Sequence, residues 1–306
     1  MKHDDLYLRL NKLRGRNTNE DIVLYSYKCS KYDHINEHEM KRLEHSISSL
    51  RNYNKDISVY LFCDVLDIVP EHFKDKHNVI VEDFIEGFDH EMLNAWSIHR
   101  WYNMRYFADK DCNILYVDSD TIFNDDVKYL FDTYCSHDIY GREERGFRHC
   151  PITGSSKNIR YYLDMVDAYI YEYGGKSHVY KYCCGVLLIN NNLHKKVVNR
   201  LDELTDFMDK IRKNEVVIPI PNPRISDQYG VWTILSRIGA SCGLFAIQDV
   251  TQSYLEQKHK EHFNPVILHY TTKDEQIFSE SEDRFSDLSR DVDELGAEID
   301  PYSIVL

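Results

Sequence analysis

Short apolar runs that give way to amphipathic segments of helical period, and then return, constrain this chain more than any other feature of its sequence. Ile22 to Tyr25 is an apolar run ending at polar Ser26, and Asn36 with Glu39 makes a capping-box pattern ahead of Met40, Leu43, Ile47 and Leu50, which share a helix face. Ile57 to Cys63 and Asn78 to Val81 read as further strands, and a helix is expected from about His90 to Phe107 with Trp96, Arg100, Asn103 and Phe107 along one side. Ile114 to Val117 is continuously apolar, the pattern of a strand covered on both faces. Strands alternating with helices predict an α/β fold on an open, mostly parallel, twisted sheet with helices on both faces.

The second half is less regular. Gly141 to Lys176 is rich in Arg, Tyr and Gly with a helical middle from Ile159 to Tyr171, and Val186 to Ile189 reads as a buried strand. His194, Val197, Leu201, Leu204, Met208 and Ile211 recur at helical spacing. Pro219, Pro221 and Pro223 mark a rigid extended loop, after which Ser226 or Asp227 caps a helix running to about Ile238. Leu244 to Ile247 and Val266 to Leu268 read as the last strands. With no internal repeat and no low-complexity linker, residues 1–270 are expected to form a single domain, followed by a tail over 271–306.

Composition narrows the partners. At 306 residues, 42% hydrophobic and 29% charged, the chain can bury a sizeable core, which excludes disorder and collagen-like structure. No apolar run approaches the ~18 to 20 residues a membrane span needs, and Met1 to Leu13 is interrupted by charge, so a soluble, cytoplasmic protein without a secretory signal is expected. A net charge of −14 repels a phosphate backbone and speaks against nucleic acid as a partner; much of the excess lies in residues 271–306, with 11 acidic and 3 basic side chains. The eight cysteines show neither a CxxC pair nor Cys/His zinc spacing and read as reduced thiols. The 23 tyrosines fit either the aromatic faces of a sugar or nucleotide cleft or simple compositional drift.

The most informative segment is Ile114-Leu-Tyr-Val-Asp118-Ser-Asp120-Thr. In an open parallel sheet ligands bind beyond the carboxyl ends of the strands, which is where this apolar run yields to Asp118. An extended backbone sends alternate side chains the same way, so Asp118 and Asp120 can converge. Two converging carboxylates repel unless a cation lies between them, and hard divalent ions such as Mg²⁺ or Mn²⁺ prefer oxygen ligands. The competing reading is an acidic turn capping the next helix near Asp125 and Val127.

Four segments in order resemble the GT-A nucleotide-sugar glycosyltransferases, and within them family 8, which contains glycogenin and bacterial lipooligosaccharide galactosyltransferases: the strand with Asp118-Ser-Asp120; Cys184-Gly185-Val-Leu-Leu-Ile-Asn190; Ser226-Asp227-Gln228; and Val266-Ile-Leu-His269. The resemblance implies a GT-A, Rossmann-like sheet with a nucleotide-binding half over about 20–125, an acceptor and sugar half over about 126–270, and a C-terminal acceptor-side subregion. It implies Asp118, Asp120 and His269 as ligands of Mn²⁺ or Mg²⁺, a nucleotide diphosphate sugar as donor, and Asp227 and Gln228 as the donor-sugar pair at the catalytic centre. Tyr25, Ser26 and Tyr27 fall where the family binds base and ribose, with plain strand packing as the alternative. Arg100 is the expected basic residue toward phosphates or sugar hydroxyls, with Arg105 as its rival and a solvated ion pair as the bland reading. Ser119, Gly185 and Lys273 complete the donor-side set.

The chain departs from the family at two places. Cys183 and Cys184 stand where many relatives have Asn and a small residue, and Tyr270-Thr-Thr-Lys273-Asp-Glu replaces the usual Gly-x-x-Lys-Pro-Trp ending. The expected activity is metal-dependent transfer of a sugar, from a UDP-sugar, to a hydroxyl of a glycan, protein or small-molecule acceptor, with retention of configuration. Two rival classes stay open: an aspartate-nucleophile phosphohydrolase, disfavoured because Ile122 stands where Thr or Val belongs, and a non-catalytic carbohydrate-binding protein on the same scaffold.

Overall fold

The computed structural model describes residues 19–27, 37–85, 95–143, 168–174, 182–216, 227–252 and 265–269. The apolar runs of the first half form β1 (Glu20–Tyr27), β2 (Ser58–Cys63), β3 (Val79–Asp83) and β4 (Cys112–Val117), separated by α1 (Glu37–Tyr53), the short α2 (His72–Asp75) and α3 (Ala95–Asn103). After these come β5 (Thr121–Phe123), α4 (Lys128–Thr133), β6 (Ile139–Glu143), β7 (Tyr182–Ile189), α5 (Leu193–Val198), α6 (Leu201–Arg212), α7 (Asp227–Ile238), β8 (Cys242–Leu244), β9 (Val250–Gln252) and β10 (Ile267–His269). Seven strands make one sheet in the order β3-β2-β1-β4-β7-β6-β8, and β5-β10-β9 make a second, smaller one. In the large sheet the β3/β2, β2/β1, β1/β4 and β6/β8 pairs are parallel and only β7 runs against its neighbours. The expected open, mostly parallel α/β sheet is the fold observed.

Alternation along the central strands builds two cores. Ile22 and Leu24 of β1 and Ile114 and Tyr116 of β4 face a layer made by Trp101, Tyr102 and Phe107 with α5, α6 and α7. Val23, Tyr25, Leu115 and Val117 face the other way, onto Met40, Leu43, Ile47 and Leu50 of α1, Phe73 of α2 and Leu130 of α4. The four α1 residues are those whose spacing marked a helix face, and all are buried. Helices thus cover both faces, and β1 and β4 are buried on each side, which is why their sequences run apolar without a break. Among the described residues no helix is long and apolar enough to cross a membrane.

Several expectations shift. The run Leu244 to Ile247 is not the strand; β8 spans Cys242–Leu244, because its register is set by β6, with Ile139 opposite Cys242. The spacing from His194 to Ile211 is carried by two helices, α5 and α6, broken at Asn199 and Arg200, where Arg200 has φ −117°. Asn36, the proline loop and residues 271–306 lie outside the described residues, as does most of the stretch from 144 to 181. Among the described residues, Cys112 and Cys135 are thiols outside any disulfide.

Candidate active site

Parallel order places the carboxyl ends of β1, β2, β3 and β4 on one edge of the sheet, and the chain leaves that edge at Asp118. The Asp118 amide donates to Gly185 O at 2.8 Å, extending the β4/β7 ladder by one step, and the chain then turns into β5. Thr121 Oγ1 closes that turn by donating to Asp118 O at 2.8 Å. β10 runs antiparallel to β5 with His269 opposite Thr121, so the imidazole at the end of β10 comes back to the turn it pairs beside. One ligand atom each from Asp118, Asp120 and His269 lie within 4.8 Å of one another. His269 Nε2 is 3.2 Å from Asp120 Oδ1 and 4.0 Å from Asp118 Oδ2.

Gly185 makes room for this. A Cβ there would sit 2.1 Å from His269 Cε1 and 2.3 Å from Nε2, well inside van der Waals contact, so only glycine lets the ring lie against β7. The β6/β7 register also breaks here: Gly141 pairs with Leu187 but Arg142 with Cys183, so Gly185 belongs to an irregular stretch of β7. Irregularities of this kind re-aim side chains and free backbone groups beside ligand sites. The freed carbonyl of Cys184 accepts from Arg100 Nη1 at 2.6 Å.

Arg100 projects from α3 into the same cluster. Its Nη1 is 3.2 Å from Asp118 Oδ1, and its guanidinium lies over the Tyr116 ring at 4.7 Å. Tyr116, two residues before Asp118 and therefore on the same side of β4, donates its hydroxyl to Asp118 Oδ1 at 2.5 Å. Asp118 is thus held by a cation and a phenol. Asp120 Oδ1, by contrast, is buried with no hydrogen-bond partner, although it faces His269. A buried carboxylate oxygen left without a donor is costly unless something positive meets it. Two carboxylates, one of them carrying that unsatisfied oxygen, and one imidazole fit a divalent ion of the Mn²⁺ or Mg²⁺ class.

The remaining candidates are distributed unevenly. Tyr25 is not brought to the cluster: its side chain is fully buried against α1, and its hydroxyl lies 2.9 Å from Ser46 Oγ. Burial pushes its phenol well above the ordinary value, so it stays protonated. Ser46 Oγ in turn lies 2.9 Å from Thr121 Oγ1, so Tyr25 supports the Asp118–Thr121 turn from beneath instead of presenting a ring face. Tyr27 shares that core face, whereas Ser26 points to α3 and accepts from Asn103 Nδ2 at 2.8 Å. Arg105, the rival of Arg100, pairs with Asp202 at 2.6 Å on the surface and is not at the site. Ser119 stands between the two aspartates in the turn. Asp227 and Gln228 open α7, but their side chains, and the whole of Lys273, lie outside the described residues. The helix-capping alternative falls to a different residue, since Asp126 Oδ1, not Asp118 or Asp120, accepts from the Lys128 amide at the start of α4, at 2.9 Å.

Sequence reasoning missed Tyr116, Ser46 and Thr121. Tyr116 carried a usable signal, the two-residue spacing to Asp118 on a strand. Ser46 carried none, because its contacts come from β1 and β5, distant in sequence.

The sheet order defines a class of fold, mixed α/β and Rossmann-like as in the GT-A structures, with an acidic cluster at its strand ends. No family model and no curated protein matches the sequence. Among solved structures, the chain is similar to the galactosyltransferase LgtC in complex with donor and acceptor sugar analogues, at 14% identity over 89% of this chain and 95% of that one, with a TM-score of 0.51. It is similar also to the bifunctional glycosyltransferase WbbM, at 12% identity over 90% of this chain and 52% of that one, with a TM-score of 0.51. At these identities the likeness is one of fold, and it agrees with the family-8 resemblance carried by the motifs.

Proposed function

We propose that the protein is a metal-dependent glycosyltransferase that moves a sugar from a nucleotide diphosphate sugar, a UDP-sugar, to an acceptor hydroxyl with retention of configuration. The observation that carries this reading is the convergence of Asp118, Asp120 and His269 around a buried, unsatisfied carboxylate oxygen at the sheet edge. A fold shared with a galactosyltransferase that binds donor and acceptor sugar analogues supports it.

Asp118, Asp120 and His269 would hold Mn²⁺ or Mg²⁺. Such an ion, when bound, supplies Lewis-acid and electrostatic stabilisation of charge building on a departing diphosphate. Two aspartates against one arginine leave the cluster with an excess of acidic groups, which a divalent ion would offset so that a diphosphate can approach. Arg100 holds Asp118 in place and supplies a second cation beside the leaving group. Gly185 keeps the His269 ring in position, while Ser119 and Lys273 are assigned to the donor side. Asp227 is assigned to accept hydrogen bonds from the donor sugar and Gln228 to stand beside its anomeric carbon.

The test is a panel of UDP- and GDP-sugars scored for Mn²⁺-dependent release of sugar without acceptor, followed by NMR of the product anomer. Turnover should vanish on chelation and fall at least ~100-fold in Asp120→Ala, the scale set by removing a preorganised charge-stabilising group. Turnover indifferent to both, or release of inorganic phosphate from simple phosphoesters, would overturn the reading.

A further inference from the structure

A second cluster of metal-ligating side chains lies on the α1 side of the sheet, built from residues the proposed reaction does not use. Glu44 comes from α1, His72 opens α2, and His77 stands in the turn that leads into β3. One ligand atom from each lies within 4.8 Å of the others. His72 Nε2 is 2.7 Å from Glu44 Oε1.

The backbone beneath them is fixed. Arg51 of α1 donates to His77 O at 2.5 Å and to Asn78 O at 2.9 Å, clamping the turn to the helix. Phe73, fully buried between the two histidines, meets the His72 ring at 5.2 Å and the His77 ring at 6.2 Å, both edge-on. His77 is only 4% exposed, and its Nε2 lies 3.4 Å from Ser48 Oγ, the long end of a hydrogen bond.

We propose that Glu44, His72 and His77 form a zinc site. Two imidazoles and one carboxylate are a set that Zn²⁺ accepts with water in the fourth position, whereas the Asp118 cluster, richer in carboxylate, suits a harder ion. Tetrahedral ligands at 2.0–2.1 Å from zinc lie roughly 3.3 Å apart. Reaching that spacing needs His72 and Glu44 to separate by about half an ångström and His77 to be approached. The movement falls on the two surface side chains, 44% and 36% exposed, while the buried imidazole stays put. The bound ion would staple α1 to the α2–β3 turn.

The test is zinc stoichiometry on the full chain, stripped of metal, dialysed against micromolar Zn²⁺ and measured by mass spectrometry of the metal. The Asp118 cluster can also take zinc, so four proteins are compared: wild type, His72→Ala, Asp120→Ala and the double variant. His72→Ala should remove one equivalent, Asp120→Ala should keep that equivalent, and the double variant should hold none. In the Asp120→Ala background zinc should raise the melting temperature, and adding His72→Ala or Glu44→Gln should abolish the rise. His72 is exposed, so its loss is not expected to unfold the chain. An unchanged stoichiometry in His72→Ala, or a melting-temperature rise that survives both added substitutions, would overturn the proposal. Neither outcome depends on whether sugar transfer occurs.

Discussion

Gly185 shows how a single missing side chain shapes a site. Its absent Cβ is the space the His269 ring occupies, so Gly185→Ala should push the imidazole away from Asp120 while leaving the strand paired. Mn²⁺ affinity, measured by titration calorimetry, is expected to fall ~10- to 100-fold, the range found when a group that orients a metal ligand is disturbed. The buried thiol of Cys112 makes an independent check on the opposite core layer. Burial pushes it up to about 12, so at pH 8 its thiolate fraction is roughly a thousandfold below that of a free cysteine. Iodoacetamide should leave it unlabelled in the native protein and label it after unfolding, as peptide mapping would show. The convergence of Asp118 and Asp120 was readable from their alternation past an apolar strand, whereas His269 was tied to them only through the family resemblance, and the structure brings its ring beside both. The small residue at 185 was legible only as a motif letter, since its reason, a ring arriving from β10, is a contact between distant segments.

At the scale of elements, the site rests on a hydrogen-bonded line from β1 through α1 to β5: Tyr25 hydroxyl, Ser46 Oγ, Thr121 Oγ1 and the Asp118 carbonyl. Ser46→Ala leaves the Tyr25 hydroxyl buried without its partner and should cost ~1–3 kcal/mol in urea unfolding, against a smaller loss in the Tyr25→Phe/Ser46→Ala pair. This line joins elements whose identities were readable separately. α1 and α7 came out close to their expected bounds because helical period and capping residues are local signals. β5, β6 and β9 were not read from the sequence at all, because three to five residues carry little pattern and their pairing is dictated by partners far along the chain. The placement of the strand at Leu244 to Ile247 failed for the same reason: hydrophobicity favoured it, but register against β6 chose Cys242–Leu244.

Across the whole molecule, acid sensitivity follows from buried neutral imidazole. Burial holds His194 below its ordinary value of 6.5, with Nε2 donating to Phe107 O at 3.0 Å. Below pH 6.5 the unfolded chain takes up a proton that the folded chain still refuses, so the stability present above that pH is lost as pH falls toward the lower folded value. Unfolding free energy should therefore decline from pH 7 to pH 5, with a shallower slope in His194→Gln, which keeps a donor for Phe107. The pairing of β10 with β5 has a last consequence, for biosynthesis. The two aspartates and the histidine that meets them are translated about half a chain apart, so a nascent chain whose β9 has emerged from the ribosome can present the large sheet but not the third ligand. On the proposed reading, ion capture would be complete only once residue 269 has cleared the exit tunnel, so manganese uptake by stalled nascent chains would report how far synthesis has gone.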